Sequence, residues 1–257
     1  MNQTIQELFD RKSVRAYSDE IITPEEKEWI LKSALQAPTA GNMALYSIID
    51  IQDQSLKDQL AITCDHQPFI SQAPMVLLFL ADYQKWYDIY THYDKDIQPL
   101  EESDLILALE DCMIAAQNAV VAAWSLGIGS CYIGDILENF EIHQKLFNLP
   151  KYVIPATLLV LGKPTLQQQN RPKPQRFDLA DMVSVNTYHH KTMDETKQMF
   201  IKQTGKNEDE LKNYIQAFAK RKFHAPYRKE MNRSVKKMID KIIKRTKCPF
   251  LLIKFFN

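Results

Sequence analysis

The sequence predicts a layered protein in which helices cover both faces of a β-sheet, of the α/β or α+β class. Two runs of strand length, residues 75–81 and 153–161, are almost continuously apolar, which is typical of strands buried on both faces. Between them, residues 103–126 carry small apolar side chains nearly all round the helix, which predicts a long central helix. Because strands alternate with helices along the chain, we expect helical layers on both sides of the sheet.

Shorter elements surround these three. Thr23 is a good N-cap residue, Pro24 suits the first helical position and two glutamates follow, so a helix begins there and should end near Pro38. The other predicted elements are helices at residues 4–9, 54–63 and 138–147 and strands at residues 45–51 and 130–133, with a loop at residues 134–135.

Three stretches have less regular patterns. Residues 83–99 are polar and aromatic without a strong period, so we expect a mobile segment or an irregular helix. Residues 167–175 are polar and contain two prolines, which is typical of a linker or an extended arm. Residues 191–257 are highly charged and predicted to be helical.

Length and composition suit a globular protein. The chain has 257 residues, of which 45% are hydrophobic and 25% charged, which fits one large domain or one domain with an appendage. No uninterrupted apolar run approaches the roughly 18 residues of a membrane-spanning helix, and the first residues do not begin a signal peptide. The four cysteines have no metal-binding or disulfide spacing, so we expect a cytoplasmic protein with reduced thiols.

Charge is distributed unevenly although the formal net charge is zero. Residues 191–257 contain 18 of the 32 Lys and Arg residues but only 7 of the 32 Asp and Glu residues. A basic C-terminal region can bind nucleic acid, a phosphorylated cofactor or an acidic surface. The remaining chain carries an equal and opposite charge. This charge favours packing of the basic region on the rest of its own chain or on the same part of a partner chain. Aromatic residues do not alternate with the cations as stacking on nucleic acid requires.

Several common kinds of active site are not supported. Only six glycines occur and no glycine-rich phosphate loop follows a strand, so the Rossmann fingerprint and the P-loop are absent. The six histidines lack the spacing of zinc ligands, and no motif marks a catalytic nucleophile. We therefore assign no metal ligand and no catalytic side chain. Any nucleotide must be held by cationic side chains and backbone donors.

Three cations and a hydroxyl lie together just after the first predicted helix, at Arg11, Lys12, Ser13 and Arg15. In an extended segment, alternation would place Arg11, Ser13 and Arg15 on one side. Two guanidinium groups and a hydroxyl facing the same way make a phosphate clamp, because arginine binds anionic oxygens in a bidentate manner. The alternative interpretation is a solvated charged turn.

Five short motifs follow one another along nearly the whole chain: Arg11-Lys12-Ser13-Val14-Arg15, Ala37-Pro38-Thr39 with Asn42, Gln67-Pro68-Phe69, Tyr132-Ile133-Gly134 and Lys173-Pro174-Gln175-Arg176. Each motif is a weak signal alone, but the five motifs in this order resemble those of the nitroreductase family. Within that family, the chain is most similar to the branch of larger NADPH-dependent flavin reductases and nitroreductases. The resemblance implies a three-layer α-β-α fold of the α+β class, with a mixed, mainly antiparallel sheet around a central helix. It also implies flavin mononucleotide (FMN) as cofactor and an interlocked homodimer with its sites at the subunit interface.

By the same resemblance the chain has three parts. Residues 1–165 would form the FMN-binding core, and residues 166–190 an extended arm that closes the phosphate site and wraps the partner. Residues 191–257 would form a basic helical extension.

The resemblance also assigns residues to FMN. Arg11 and Ser13 would bind the phosphate, and Lys173 and Arg176 would close over it. Arg15 would lie towards the N1–O2 edge of the ring, where a cation stabilises the reduced flavin. The complete set of implied FMN-binding residues is Arg11, Lys12, Ser13, Arg15, Thr39, Asn42, Gln67, Tyr132, Ile133, Gly134, Asp135, Lys173 and Arg176.

Other members of this set would contact the ribityl chain and the ring. Thr39 and Gln67 would offer hydrogen bonds to the ribityl chain and the pyrimidine edge, and the backbone amides of Gly134 and Asp135 would lie near N5, where hydride arrives. Each side chain also has a structural interpretation. Thr39 suits a turn or cap, Gln67 a solvated loop, and Tyr132 a position in the core.

Three positions depart from the pattern of the family. Residues 40–42 replace a frequent run of serines, and Asp135 stands where a second glycine is frequent. Gln175 separates Lys173-Pro174 from Arg176, where relatives often have a contiguous Lys-Pro-Arg. The phosphate contact of Arg176 is therefore open, with Arg171 as the alternative. Lys173 and Arg176 also suit solvated linker positions.

The basic C-terminal region contains Arg221 and Lys222 where the NADPH-dependent branch places arginines for the 2′-phosphate. We hypothesise that these two residues, with Arg228 as a third candidate, select NADPH over NADH. A solvated helix face explains them equally well.

The resemblance thus implies an FMN-dependent NAD(P)H oxidoreductase that reduces nitroaromatics, quinones or free flavin by ping-pong hydride transfer. The main alternative is a non-catalytic regulatory protein that binds flavin or nucleotide. A nucleic-acid binder that uses the basic C-terminal region, and a flavin-fragmenting or dehalogenating enzyme of the same fold, are two further hypotheses. We expect partners that are small molecules and a second copy of the chain, and neither nucleic acid nor membrane.

Overall fold

The structure, a computed structural model, describes residues 1–243, and the chain divides into two compact units. Of the described residues, the first unit contains Met1–Asn170 and residues 230–243, and the second contains Arg171–Lys229. The division into parts at residues 165 and 190 stays a prediction. Cys248 and the basic residues after position 243 lie outside the described residues.

The first unit is built around a four-stranded antiparallel sheet with strand order β1-β2-β4-β3. The strands are β1 (Tyr46–Asp50), β2 (Met75–Asp82), β3 (Gly129–Ile133) and β4 (Val153–Gly162). The central strands β2 and β4 are buried along their whole length, as their apolar runs predict. Pro155 pairs with Leu80 where the register between these strands shifts, because a proline cannot donate to a regular ladder.

Helices flank this sheet and make up the second unit. The first unit contains α1 (Gln3–Asp10), α2 (Pro24–Leu35), α3 (Gln54–Thr63), α4 (Gln84–Tyr93), α5 (Glu102–Ser125), α6 (Phe140–Leu146) and α7 (Leu166–Asn170). The second unit contains α8 (Leu179–Met182), α9 (Met193–Thr204) and α10 (Glu208–Lys222), and α11 (Pro226–Ile242) begins there and ends in the first unit.

Side chains of β2 alternate between two hydrophobic cores, one on each face of the sheet. Leu77 and Phe79 belong to the core that contains the small residues of α5, whereas Leu78 and Leu80 belong to the core beneath α3. This period of two is the geometry of a strand covered on both faces. The prediction of an α+β fold with helical layers on both faces of a sheet is therefore confirmed.

Helix α5 is the long central helix that the sequence predicts, but only part of its surface is buried. Cys112, Ala116 and Ala119 lie in the core, whereas Ile106 is 55% exposed and Met113 is 41% exposed. By length and composition α5 could cross a membrane, and it is the one helix of the described residues that meets this test. Its buried side belongs to the core against the sheet, so we interpret it as a core helix.

The prediction for residues 83–99 was partly wrong, because Gln84–Tyr93 is a regular helix, α4. Trp86 Nε1 donates to Met43 O over 2.6 Å, and Gln84 Oε1 accepts from Tyr152 N over 3.0 Å. These contacts to distant residues fix the helix, whereas its own sequence has no strong period. Residues 167–175 were predicted as a linker or arm, and the short helix Leu166–Asn170 overlaps the start of this range.

The second unit consists mainly of the hairpin of α9 and α10. Thr192 and Asn207 begin the two helices with capping boxes, and Gly205 ends α9 at a φ of 67°, a conformation that favours glycine. The Phe177 and Phe200 rings lie 5.3 Å apart between centroids. The sequence predicts helices over residues 191–257, and the described part of that range contains α9, α10 and α11.

Candidate functional site

The cationic segment, residues 11–15, lies beside β3. Ser13 forms a parallel bridge with Ser130, and Val14 N donates to Ser130 O over 3.0 Å. Val14 is 1% exposed and fills the space over Gly129, where an added Cβ would lie 2.4 Å from Val14 Cγ2. The absence of a side chain at Gly129 therefore lets the cationic segment pack closely on the sheet.

The two cations at the start of this segment have different surroundings. Arg11 follows α1, and its Nη1 is buried without a hydrogen-bond partner in the part of the chain that the structure describes. Lys12 Nζ donates to Gln169 O over 2.6 Å. A buried guanidinium nitrogen without an acceptor is costly, so Arg11 fits an anionic ligand such as a phosphate.

Arg15 and Ser13 both contact a buried cysteine that the sequence analysis did not select. Their side chains form hydrogen bonds with the Cys131 thiol, whose pKa is raised by burial although the charge of Arg15 lowers it. The Arg15 guanidinium also lies 5.8 Å from the centroid of the Phe69 ring. Cys131 precedes Tyr132 in β3, so its adjacency to a motif was the available signal.

Gln67 is held by a strained turn and by two hydrogen bonds. Asp65 and His66 have φ values of 58° and 52°, which are uncommon for residues other than glycine. Gln67 Nε2 donates to Cys64 O over 2.9 Å and to Asp135 Oδ2 over 2.7 Å. Both amide hydrogens are therefore used within the protein, and Oε1 is the atom that can accept a further hydrogen bond.

The acidic turn, residues 134–138, directly follows β3. Gly134–Leu137 is a 3-10 helix rather than the irregular loop that the sequence predicts. Glu138 is 5% exposed, and none of the described residues binds its buried Oε1. Burial raises the pKa of Glu138 to about 7, and the charges of Asp135, Asp65 and Glu230 raise it further. Sequence analysis missed Glu138, whose signal was a second acid three residues after Asp135.

Helix α11 fixes the chain that follows the acidic turn. Asn139 N donates to Glu230 Oε1 over 3.1 Å, and Phe140 N donates to Ser234 Oγ over 2.9 Å. Arg233 binds both carboxylate oxygens of Glu141 over 2.7 and 2.8 Å, which lowers the pKa of that carboxyl to about 2. These side chains take the place of a local cap, so α6 begins at Phe140, two residues after the predicted start.

Tyr132, Ile133 and Gly134 connect the two sides of the site. Tyr132 is partly buried, its hydroxyl donates to Gln117 Oε1 over 3.2 Å, and burial raises its pKa. Ile133 is 2% exposed and belongs to a hydrophobic core. No heavy atom of the described residues lies within 4 Å of a Cβ built on Gly134. The backbone at Gly134 is therefore open to a ligand.

Thr39 and Asn42 lie in a separate loop with its own hydrogen bonds. The Thr39 hydroxyl donates to Asp111 and accepts from Ala44 N over 2.7 Å. Asp111 is 3% exposed and also accepts from Ala40 N over 2.9 Å. These contacts agree with a turn-forming role for Thr39, and the binding of FMN by Thr39 and Asn42 stays a prediction.

Four predicted residues belong to the second unit. Lys173 and Arg176 precede α8, and Gln203 Nε2 donates to the adjacent Gln175 O over 3.0 Å. Arg221 lies 5.2 Å from the centroid of the Phe218 ring, and Lys222 lies 5.3 Å from that of Tyr227. Arg221 and Lys222 occupy the last turn of α10, where cations favour the helix dipole. Their roles stay predictions.

The first unit thus brings the cationic segment, Gln67 and residues 131–138 around β3. Among residues 1–243, no three His, Cys, Asp or Glu side chains form a group that could hold a metal ion. The cationic segment offers guanidinium and ammonium groups, and the acidic turn offers carboxylates and an open backbone at Gly134.

A family model, described as the nitroreductase family, matches residues 8–163. The chain belongs to the nitroreductase family. The matched range contains β1 to β4, the cationic segment and the acidic turn.

Curated relatives and solved structures of this family cover most of the chain. The chain is 33% identical to "FMN reductase [NAD(P)H]" of Bacillus subtilis over 85% of its length and 80% of the relative's. It is 29% identical to "FMN reductase (NADPH)" of the same organism over 86% of its length and 93% of the relative's. The solved structure of NfrA1 from B. megaterium superposes with a TM-score of 0.78 at 28% identity, and covers 92% of this chain and 98% of its own.

Proposed function

We propose that the protein is an FMN-dependent NAD(P)H oxidoreductase that reduces small electron acceptors, namely nitroaromatics, quinones or free flavin. The observation that carries the proposal is the buried Arg11 Nη1, which has no acceptor among the described residues and lies on a segment bound to β3. Membership of the family and the reductase names of the relatives support it. They favour an oxidoreductase over a non-catalytic regulatory protein.

The residues of the first unit fit the chemical groups of FMN. Arg11 and Ser13, with Lys12 beside them, would hold the phosphate, and Arg15 would stabilise negative charge on the ring. When bound, FMN would accept a hydride from NADPH and pass it to an acceptor that takes the same place. The side chain of Gln67 and the open backbone at Gly134 would orient the ring.

Further contacts to FMN come from residues whose roles stand as predictions. We propose that Lys173 and Arg176 close the phosphate site, with Arg171 as the alternative to Arg176. Thr39 and Asn42 would contribute less, because the Thr39 hydroxyl already binds Asp111 and Ala44.

We propose NADPH as the electron donor, with Arg221 and Lys222 as ligands of its 2′-phosphate. The Arg221→Ala variant should lose part of its preference for NADPH over NADH, because it removes a cation from that site. The ratio of kcat/KM for the two donors measures this effect. An unchanged ratio would remove Arg221 from the proposal.

We further propose that the protein is a cytoplasmic homodimer without nucleic-acid or membrane partners. The exposed apolar residues of α5, among them Ile106 and Met113, would be covered by the second copy. Light scattering of the purified protein measures its mass in solution. A monomer at micromolar concentration would contradict this part.

An absorbance spectrum tests the proposed function directly. The purified protein, reconstituted with FMN if necessary, should show flavin bands that bleach when NADPH is added without oxygen. Addition of a quinone should restore the bands, since ping-pong transfer requires the acceptor to reoxidise the cofactor. A protein that takes up no FMN, or whose bands neither NADPH nor NADH bleaches, would contradict the proposal.

A further inference from the structure

The carboxylate of Asp135 has a defined partner in the candidate site. Its Oδ2 accepts a hydrogen bond from Gln67 Nε2 over 2.7 Å, and the carbonyl oxygen of Cys64 accepts the other Gln67 hydrogen over 2.9 Å. Because both partners are acceptors, they fix which way the amide points. Gln67 can therefore offer only its Oε1 to a ligand.

Asp135 is also part of a group of acids, of which Glu138 is buried. Glu138 lies three residues further on, is 5% exposed and has a buried oxygen without a partner among residues 1–243. The charge of Asp135 acts on Glu138 together with those of Asp65 and Glu230. The charge of Asp135 thus acts on a buried group of the site, where water screens charges less than at the surface.

Cationic and hydroxyl side chains adjoin β3, the strand that precedes the acidic turn. Arg15 and Ser13 bind the thiol of Cys131 in β3, and Asp135 lies just beyond the end of that strand. A ligand that lies along this edge would meet Arg15 and Asp135 at different positions. The two charges would have opposite effects on an added negative charge.

We propose that Asp135 is a positioning residue that orients Gln67 and, through its negative charge, lowers the reduction potential of the flavin in this site. The inference rests on the proposed function, because it requires bound FMN. Two-electron reduction adds negative charge to the ring, which a neighbouring carboxylate disfavours and a cation favours. Asp135 therefore offsets part of the effect of Arg15 and makes the reduced cofactor a stronger reductant.

The Asp135→Asn variant separates charge from shape, because the asparagine oxygen can still accept from Gln67. We expect the ratio of reduced to oxidised flavin, at a given solution potential, to rise about tenfold, which is about 30 mV for a two-electron couple. Equilibration of the FMN-loaded protein with a redox dye, in the absence of oxygen, measures this ratio independently of turnover. A loss of packing that weakens the binding of both flavin states equally would leave this ratio unchanged.

A matched pair elsewhere on the first unit provides the control. Gln54 Nε2 donates to Asp58 Oδ1 over 2.9 Å on the exposed face of α3, so Asp58→Asn removes the same charge from the same kind of pair. The reduction potential of FMN bound to the Asp58→Asn variant should equal that of FMN bound to the wild type, since water and salt screen exposed charges. Asp135→Ser, measured in parallel, removes the charge with a smaller side chain and should shift the potential in the same direction as Asp135→Asn.

The outcomes distinguish this inference from the proposed function. If the wild type binds no FMN, the proposed function fails, and the inference fails with it. If the wild type binds FMN and the potential of Asp135→Asn or Asp135→Ser is unchanged or lower, only the inference is overturned. A rise in both variants but not in Asp58→Asn would support it.

Discussion

The two sides of the candidate site are built differently although both adjoin β3. The cationic segment lies alongside the strand and is held by its backbone and by Val14, so Arg11 keeps a buried donor that no described residue uses. The acidic turn continues the strand, and its Asp135 already binds Gln67. We infer from this difference that the two parts have different roles. Hydrogen-bond donors without a partner among the described residues would bind a ligand, and a carboxylate that already binds a side chain would adjust the chemistry of the bound group.

The largest effect is expected where the cationic segment meets the strand. Gly129→Ala would place a Cβ 2.4 Å from Val14 Cγ2, and this overpacking should lower the free energy of unfolding by about 1–3 kcal/mol. Because Val14 would be displaced together with Arg11 and Ser13, FMN binding should weaken as well. Denaturant unfolding and FMN titration measure the two effects.

A second substitution sharpens this test. Val14→Ala alone should also destabilise the protein, because it leaves a cavity in the core. In the double variant Gly129→Ala/Val14→Ala, the new methyl group fills that cavity, so the two losses should not add. Strictly additive losses would show that the close packing of Val14 on Gly129 does not hold the segment.

An effect of similar size on stability, with the opposite sign, is expected at the acidic turn. The folded-state pKa of Glu138 is raised to about 7, so the wild type should lose stability as pH rises from about 4.5 to 7 and stay constant above that range. Glu138→Gln removes this loss and should be more stable than the wild type by about 1–3 kcal/mol at pH 8. The two proteins should be equally stable below pH 4.5.

Glu141 provides the matched control for that pH dependence. Its carboxyl binds Arg233, which lowers its pKa to about 2, so its contribution is present at neutral pH and is lost as pH falls towards 2. Glu141→Gln should therefore destabilise the protein at pH 8, where Glu138→Gln stabilises it. Equal signs for the two variants at pH 8 would contradict our account of the acidic turn.

The smallest effect is expected at Lys12, whose ammonium group donates to Gln169 O over 2.6 Å. Because this hydrogen bond occupies part of the group, Lys12→Ala should weaken FMN binding only about threefold to tenfold, through the loss of a screened charge. Lys32→Ala removes an exposed cation that pairs with Glu28, and it should leave the affinity unchanged. A larger loss for Lys12 than for Arg11 would reverse our ranking of the two cations.

Much of the fold was predictable from the sequence, because its signals are local. The apolar runs of β2 and β4 and the Thr23 cap of α2 each identify an element without reference to distant residues. Helix α4 was not predictable in this way, since Met43 and Tyr152 hold it in place. The start of α6 was misplaced for the same reason, because its first amide binds Ser234.

In the candidate site, too, local signals were readable from the sequence and contacts between distant residues were not. The resemblance assigned Arg11, Ser13 and Gly134 to one FMN site, and the structure places the segments that contain them beside β3 or directly after it. Their contacts with FMN stay predictions. The motifs did not predict that Asp135 would bind Gln67, or that Glu138 would be buried with an oxygen that no described residue binds. Such pairings depend on side-chain positions far apart in the sequence.

The most direct test of our account is the affinity of apoprotein for two ligands that differ only in the phosphate. Arg11→Ala should weaken FMN binding about 10- to 100-fold, because charge-assisted hydrogen bonds contribute about 1.5–3 kcal/mol. The same variant should bind riboflavin, which lacks the phosphate, as tightly as the wild type does. Fluorescence quenching on titration measures both affinities. An Arg11→Ala variant that binds FMN like the wild type, or loses riboflavin and FMN equally, would contradict the assignment of the cationic segment to the phosphate.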